Sequence, residues 1–213
     1  MIVAITDVAG SARKSILAAF LSMMQRRSGR QVVLVDNDPQ HLSLTLEKNC
    51  LDTAKFPRLD VRAISGKGMQ PELENLGCRF QDIVIDTESR DSMGTRAALG
   101  AAHKVIIVMD STQLDSVKCD QLIYRLMMAR IDNPMLRIVL VLDKTDKLVQ
   151  GAMARVHHCL TALAPIKLCK LTLSSLTLSD NAVIPAPGAD VNASGQDDLL
   201  ILWREIFVPP KSA

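Results

Sequence analysis

The chain has 213 residues, with 25 Lys and Arg against 23 Asp and Glu, a net charge of +2. That balance neither demands nor excludes nucleic acid, and leaves any such contact to a local patch. With 48% hydrophobic but only 3% aromatic residues, the length suits one α/β domain with an aliphatic, Met-containing core, and no apolar run approaches the roughly 20 residues of a membrane span.

Ile2-Val3-Ala4-Ile5-Thr6 reads as a short buried strand, followed by the small-residue loop Val8-Ala9-Gly10-Ser11-Ala12-Arg13-Lys14-Ser15. Apolar periodicity predicts a helix from Ser15 to Arg27, ended near Gly29. A second apolar strand, Val32-Val33-Leu34-Val35, runs into Asp36-Asn37-Asp38-Pro39-Gln40. Residues 41 to 59 are less periodic, with a helix expected around Leu42 to Glu47. A short strand over Leu59 to Ile64 and a short helix over Pro71 to Leu76 follow.

Asp82-Ile83-Val84-Ile85-Asp86 is a third apolar strand closed by an acid, and Ser89 to Leu99 reads as a turn running into a helix. Val105 to Asp110 and Ile138 to Asp143 are the next strands, separated by a helix over Asp115 to Ile131 that closes at Asp132-Asn133-Pro134. A helix over Leu148 to Leu163, a strand over Ile166 to Leu173, a loop over Asp180 to Ala193 and an amphipathic helix over Gln196 to Phe207 complete the chain. Apolar strands alternating with helix-length segments predict a mostly parallel sheet covered on both faces. The reading is one domain over 1–208 with a frayed tail at 209–213.

Strand, loop, Lys-Ser and helix form the layout of a P-loop. There backbone N–H groups cradle phosphate at a helix N-terminus, Lys neutralises charge and the hydroxyl holds Mg²⁺. Asp36, Asp38 and Asp86 all end apolar strands, at the edge where parallel sheets bind ligands.

These features together resemble the ParA/MinD family of deviant Walker ATPases, over roughly residues 1 to 180. The family loop Lys-Gly-Gly-x-Gly-Lys-Thr falls on Ala9, Gly10, Ser11, Ala12, Arg13, Lys14 and Ser15, of which Gly10, Lys14 and Ser15 match. The family's signature lysine, which reaches a partner's nucleotide, is Ala9, and its glycine before the main lysine is Arg13. Asp36-Asn37-Asp38-Pro39-Gln40 matches the family's Asp-x-Asp-Pro-Gln, and Asp82 to Thr87 looks like Walker B, with Glu88-Ser89 where relatives carry Pro-Pro.

The resemblance implies ATP and Mg²⁺ as cofactors. Gly10, Ser11, Ala12, Arg13, Lys14 and Ser15 would hold phosphate. Ser15 and Asp86 would hold Mg²⁺, Lys14 and Asp38 would serve hydrolysis, and Asp143 would face the base. It implies a cytoplasmic homodimer that works with a partner protein of plasmid maintenance, partition or DNA transfer. The departures at Ala9 and Arg13 predict slow or partner-dependent hydrolysis. They also leave open a pseudo-ATPase adaptor that keeps the fold without nucleotide.

Arg13 has three readings: an ordinary exposed loop residue, a phosphate ligand, as Arg suits phosphate, or a side chain folded over the crevice toward Asp38 or Asp86. Asp143-Lys144-Thr145-Asp146 lies near a guanine-reading pattern and keeps GTP as a lesser alternative. Lys144, Lys147, Arg155, Lys167 and Lys170 stand against the single acid Asp146 and form the candidate patch for non-specific DNA. His157-His158-Cys159 reads as a helix surface, since adjacent helical residues diverge by about 100°. The five cysteines (Cys50, Cys78, Cys119, Cys159, Cys169) have no C-x-x-C spacing and read as reduced, mostly buried thiols. The polar face of the last helix holds Asp197, Asp198 and Glu205 beside Arg204, which argues against a membrane-binding tail.

Overall fold

The computed structural model describes residues 1–7, 10–43, 59–109, 116–143, 166–171 and 193–208. Its strands are β1 (Ile2–Asp7), β2 (Val32–Asp36), β3 (Asp60–Ala63), β4 (Asp82–Asp86), β5 (Lys104–Met109), β6 (Arg137–Asp143) and β7 (Ile166–Leu171). Its helices are α1 (Ala12–Arg27), α2 (Met69–Arg79), α3 (Met93–Ala101), α4 (Ser116–Asp132) and α5 (Ala193–Phe207), with a 3₁₀ turn at Gly66–Gly68.

The strands form one sheet in the order β3-β2-β4-β1-β5-β6-β7, and every pairing between neighbours is parallel. Parallel strands need crossovers, and covering both faces buries both sets of alternating side chains. Val33, Val35, Ile83, Ile85, Val105 and Ile107 belong to one buried cluster, which includes Leu73, Leu99 and Leu122 of α2, α3 and α4. Their neighbours Val32, Leu34, Val84, Ile106 and Val108 belong to a second, with Leu17 and Leu21 of α1 and Leu202 of α5. Burial on both sides explains why these strands read as unbroken apolar runs.

The predicted parallel α/β fold is the observed one. α1 begins at Ala12, three residues before its expected start, because Ala-Arg-Lys has no apolar period to announce a helix. α2 also extends beyond Pro71 to Leu76, to Met69–Arg79, where Met69, Leu73 and Leu76 are buried. α5 packs its apolar side on α1, and Trp203 Nε1 donates to Gln25 Oε1 at 3.1 Å. Most of the helix expected over 42–47, the helix over 148–163 and the tail at 209–213 lie outside the described residues. No helix among the described residues is long and apolar enough to cross a membrane.

The cysteines depart in part from expectation. Cys119 is buried and Cys169 half-buried, but Cys78 is exposed because it lies on the solvent side of α2. Cys50 and Cys159 fall outside the described residues, as does the His157-His158 pair.

Candidate functional site

β1 sits between β4 and β5, with β2 beyond β4. The chain leaves β1 toward β2 on one side and later leaves β4 for β5 on the other, so the C-terminal ends of β1 and β4 flank a topological switch point. Ligands of such sheets bind at that edge. The register sets Asp36 opposite Asp86 and Ile5 opposite Asp86, so the strand-end acids share one level.

Lys14, in the first turn of α1, is fully buried. Its ammonium donates to Asp86 Oδ1 and, at 3.1 Å, to Asp38 Oδ2. Burial disfavours the charged amine, but the Asp86 charge and hydrogen bond, with the charges of Asp7 and Asp38, outweigh it and hold Lys14 above its ordinary value. Asp86 Oδ2 accepts from Ser43 Oγ at 2.7 Å, so both oxygens of this buried carboxylate are used.

The turn after β2 is held rigidly. Asn37 N donates to the Asp86 carbonyl at 2.9 Å, and Asp38 N to Asp36 Oδ1 at 3.1 Å. α3 starts against this turn: a Cβ on Gly94 would stand 2.5 Å from Asn37 Oδ1, so any larger residue forces Asn37 to shift. Ser92 caps α3, its hydroxyl accepting from Thr95 N at 3.1 Å.

The loop before α1 is organised by an acid that sequence reasoning passed over. Asp7, at the end of β1, is fully buried. Its Oδ1 accepts from Gly10 N at 3.1 Å and its Oδ2 from Ser11 N at 2.6 Å. Ser89 Oγ also donates to Oδ1. Gly10 has φ +77, a left-handed backbone that favours glycine. An Asp three and four residues ahead of two small residues is the signal that could have revealed this turn, since Asp side chains commonly accept from nearby backbone amides. Ser43 and Ser89 had no comparable signal, as each meets its partner from far along the chain.

The remaining expected residues are placed as follows. Ser11 is the N-cap of α1 without a capping bond, and its Oγ is buried with no hydrogen-bond partner among the described residues. Ala12 is exposed, Arg13 half-buried and Ser15 buried. Among the described residues His41 is the one non-glycine with positive φ, so Arg13 takes its place in α1 with ordinary helical backbone. Asp143 ends β6, two strands away from β1, and its side chain lies outside what is described. Ala9, Lys144, Lys147 and Arg155 also lie outside, as does the Lys170 side chain. Lys167 is exposed and ion-paired with Glu205.

The donor set fits a phosphate–Mg²⁺ group in kind. Hard carboxylate and hydroxyl oxygens (Asp86, Ser15) suit Mg²⁺. A buried cation and an orphaned hydroxyl (Lys14, Ser11) stand at a helix N-terminus, where anions bind. Both positive elements of the cradle, the ammonium and the loop amides, are held here by the chain's own carboxylates.

No family model matches the chain, and no curated protein matches it in sequence. Solved structures do match in fold. The MinD cell division protein of Aquifex aeolicus superposes with a TM-score of 0.68 at 17% identity, over 99% of this chain and 98% of that one. A plasmid partition protein from Borrelia burgdorferi gives 0.61 at 16%, over 96% and 98%. Cobyrinic acid a,c-diamide synthase from Mycobacterium smegmatis, with bound ADP and magnesium, gives 0.57 at 18%, over 74% and 81%. The chain thus has the fold of the ParA/MinD-type P-loop ATPases on which it superposes, a parallel α/β sheet with helices on both faces.

Proposed function

We propose that this chain is a ParA-like protein of plasmid or DNA maintenance, partition or transfer that binds ATP–Mg²⁺ conditionally and hydrolyses it slowly or on a partner's demand. The observation that carries the reading is the convergence of Lys14, Asp38 and Asp86 at the switch point, from three separate elements. Lys14 would hold phosphate, Ser15 and Asp86 Mg²⁺, and Asp38 the attacking water, with Gly10 to Arg13 lining the loop and Asp143 facing the base. Lys14 must first exchange its carboxylate partners for phosphate, which makes binding conditional. The similarity to the plasmid partition protein supports the process, and the similarity to MinD in its complex with MinC, at a TM-score of 0.63, supports work with a protein partner.

A second reading has its own observation. Because Lys14 and the loop amides are already satisfied, the fold is complete without nucleotide, as a pseudo-ATPase adaptor requires. Thermal unfolding with and without ATP–Mg²⁺ separates the two. A ligand at about 100 times its Kd adds about 2.7 kcal/mol, so ATP–Mg²⁺ raises Tm by several degrees under the first reading. No rise at millimolar ATP–Mg²⁺ overturns it in favour of the adaptor.

A further inference from the structure

We propose that Asp7 is an internal anion that occupies the phosphate-loop amides and sets how tightly this chain takes a phosphate ligand. The inference rests on the nucleotide-binding reading above and goes beyond it, by naming a residue outside the matched motifs as the one that determines affinity. A phosphate at a helix N-terminus is bound by successive backbone N–H groups that point at it. Here two successive amides, Gly10 and Ser11, point at the two oxygens of one carboxylate. An amide that donates to Asp7 is not free to donate to phosphate. The carboxylate also places a full negative charge, buried and away from solvent, beside the loop where phosphate charge would gather.

The arrangement is locked from outside the loop. Ser89 Oγ donates to Asp7 Oδ1, and a Cβ on Gly10 would stand 3.4 Å from Ser89 Oγ, so the loop packs against Ser89. The Ser89 carbonyl in turn accepts from Arg125 Nη1 at 2.7 Å. Arg125 is 6% exposed, and fixes the segment after β4 from the side of α4. Ser11 Oγ, buried without a hydrogen-bond partner among the described residues, is a further donor that Asp7 does not use. Release of Asp7 from the loop therefore frees two amides beside a hydroxyl that is already unpartnered among the described residues.

The test is Asp7→Asn, which keeps the shape and removes the charge, titrated calorimetrically with ATP–Mg²⁺ and with pyrophosphate. Asp91→Asn serves as the control, because Asp91 is an exposed carboxylate beyond Ser89 that pairs with Arg96. Affinity for both ligands is expected to rise roughly tenfold or more in Asp7→Asn and to stay unchanged in Asp91→Asn. ¹⁵N amide spectra supply a local readout: pyrophosphate shifts the Gly10 and Ser11 signals of Asp7→Asn more than those of the wild type. Wild-type binding with no gain in Asp7→Asn overturns the role of Asp7 and leaves the nucleotide reading standing. Binding by neither protein overturns both. If Asp7→Asn fails to fold, Ser89→Ala decides the matter, since it removes the outside bond that locks the carboxylate onto the loop and keeps the charge. A smaller gain is expected there, and no gain overturns the proposal.

Discussion

Lys14 Nζ stands 3.1 Å from Asp38 Oδ2 and shares its charge with Asp86, although all three side chains come from different strand ends or helix starts. The ammonium is fully buried, as is Asp86, so neither charge has water to fall back on. Removing one partner of a buried pair typically costs about 3–5 kcal/mol, whereas replacing both is far milder. Lys14→Met is expected to lower stability by about that amount, and Lys14→Met with Asp86→Asn to recover most of it. Urea midpoints measure both. The folded amine titrates above its unfolded value of 10.5, so its stabilisation is complete below that pH and fades only as pH climbs through the folded value.

Hydrolysis is expected to be weak in the isolated protein. A cation supplied in trans to phosphoryl transfer is worth on the order of 10³–10⁵ in rate, and Ala9 supplies none. Arg13→Gly tests the other departure. Since Arg13 sits in helical backbone, glycine there relieves no strain, and any effect comes from the side chain. A gain in ATP affinity marks Arg13 as an obstruction. A loss of about tenfold, or 1.4 kcal/mol, marks it as a phosphate ligand.

The strands were legible because both faces of the sheet are buried, which removes polar residues from the runs at 32–35, 83–85 and 105–109. Lys14, Asp38 and Asp86 were legible for a related reason: each closes or follows such a run, and the sheet edge gathers them. Asp7 was not, because its meaning depends on two backbone amides and on Ser89, 82 positions away. Arg125 carries no local signal either, and only the fold turns it toward the Ser89 carbonyl. Gly94 likewise carries no local signal, as its partner Asn37 arrives from another strand.

Gly94→Ala follows from that contact. On helix propensity alone Ala stabilises a helix by about 1 kcal/mol over Gly. At this position the new methyl meets Asn37 Oδ1 at 2.5 Å and Gly66 N at 3.1 Å, and Asn37 is buried. Overpacking of this kind costs about 1–3 kcal/mol, so net destabilisation is expected in urea unfolding. Movement of Asn37 also disturbs the neighbouring Asp38, which should weaken ATP–Mg²⁺ binding. Unchanged affinity with lowered stability would separate the turn from the site.

Any DNA binding through the basic set, with Lys167 and Lys170 on β7, is expected to be sequence-independent and salt-sensitive. Each phosphate contact contributes a slope of about −0.9 in log K against log salt. Lys167 already pairs with Glu205, which lowers its availability. Glu205→Gln should therefore strengthen binding, and Lys167→Glu with Lys170→Glu should abolish it. Affinity that stays flat as salt rises would rule out the patch.

The acid end of the stability profile is assigned to Asp82, at the opposite edge of the sheet from the site. Asp82 is buried and accepts from Gln25 Nε2 at 2.7 Å, from Arg30 Nε at 2.9 Å and from the N-terminal ammonium at 3.1 Å. Burial works against its charge, but the bonds from Arg30, Gln25 and the ammonium outweigh it and hold the carboxyl below its ordinary value of 3.8. A depressed carboxyl contributes stability that is present above the unfolded value and is lost as pH falls through the folded one. The wild type should therefore lose this contribution below about pH 4. Asp82→Asn, which cannot ionise, should be less stable at neutral pH by about 1–3 kcal/mol, the range for bonds to a buried charged group. Its stability should also fall less steeply between about pH 4 and pH 2. Parallel acid profiles for the two proteins would show that other carboxylates carry the effect.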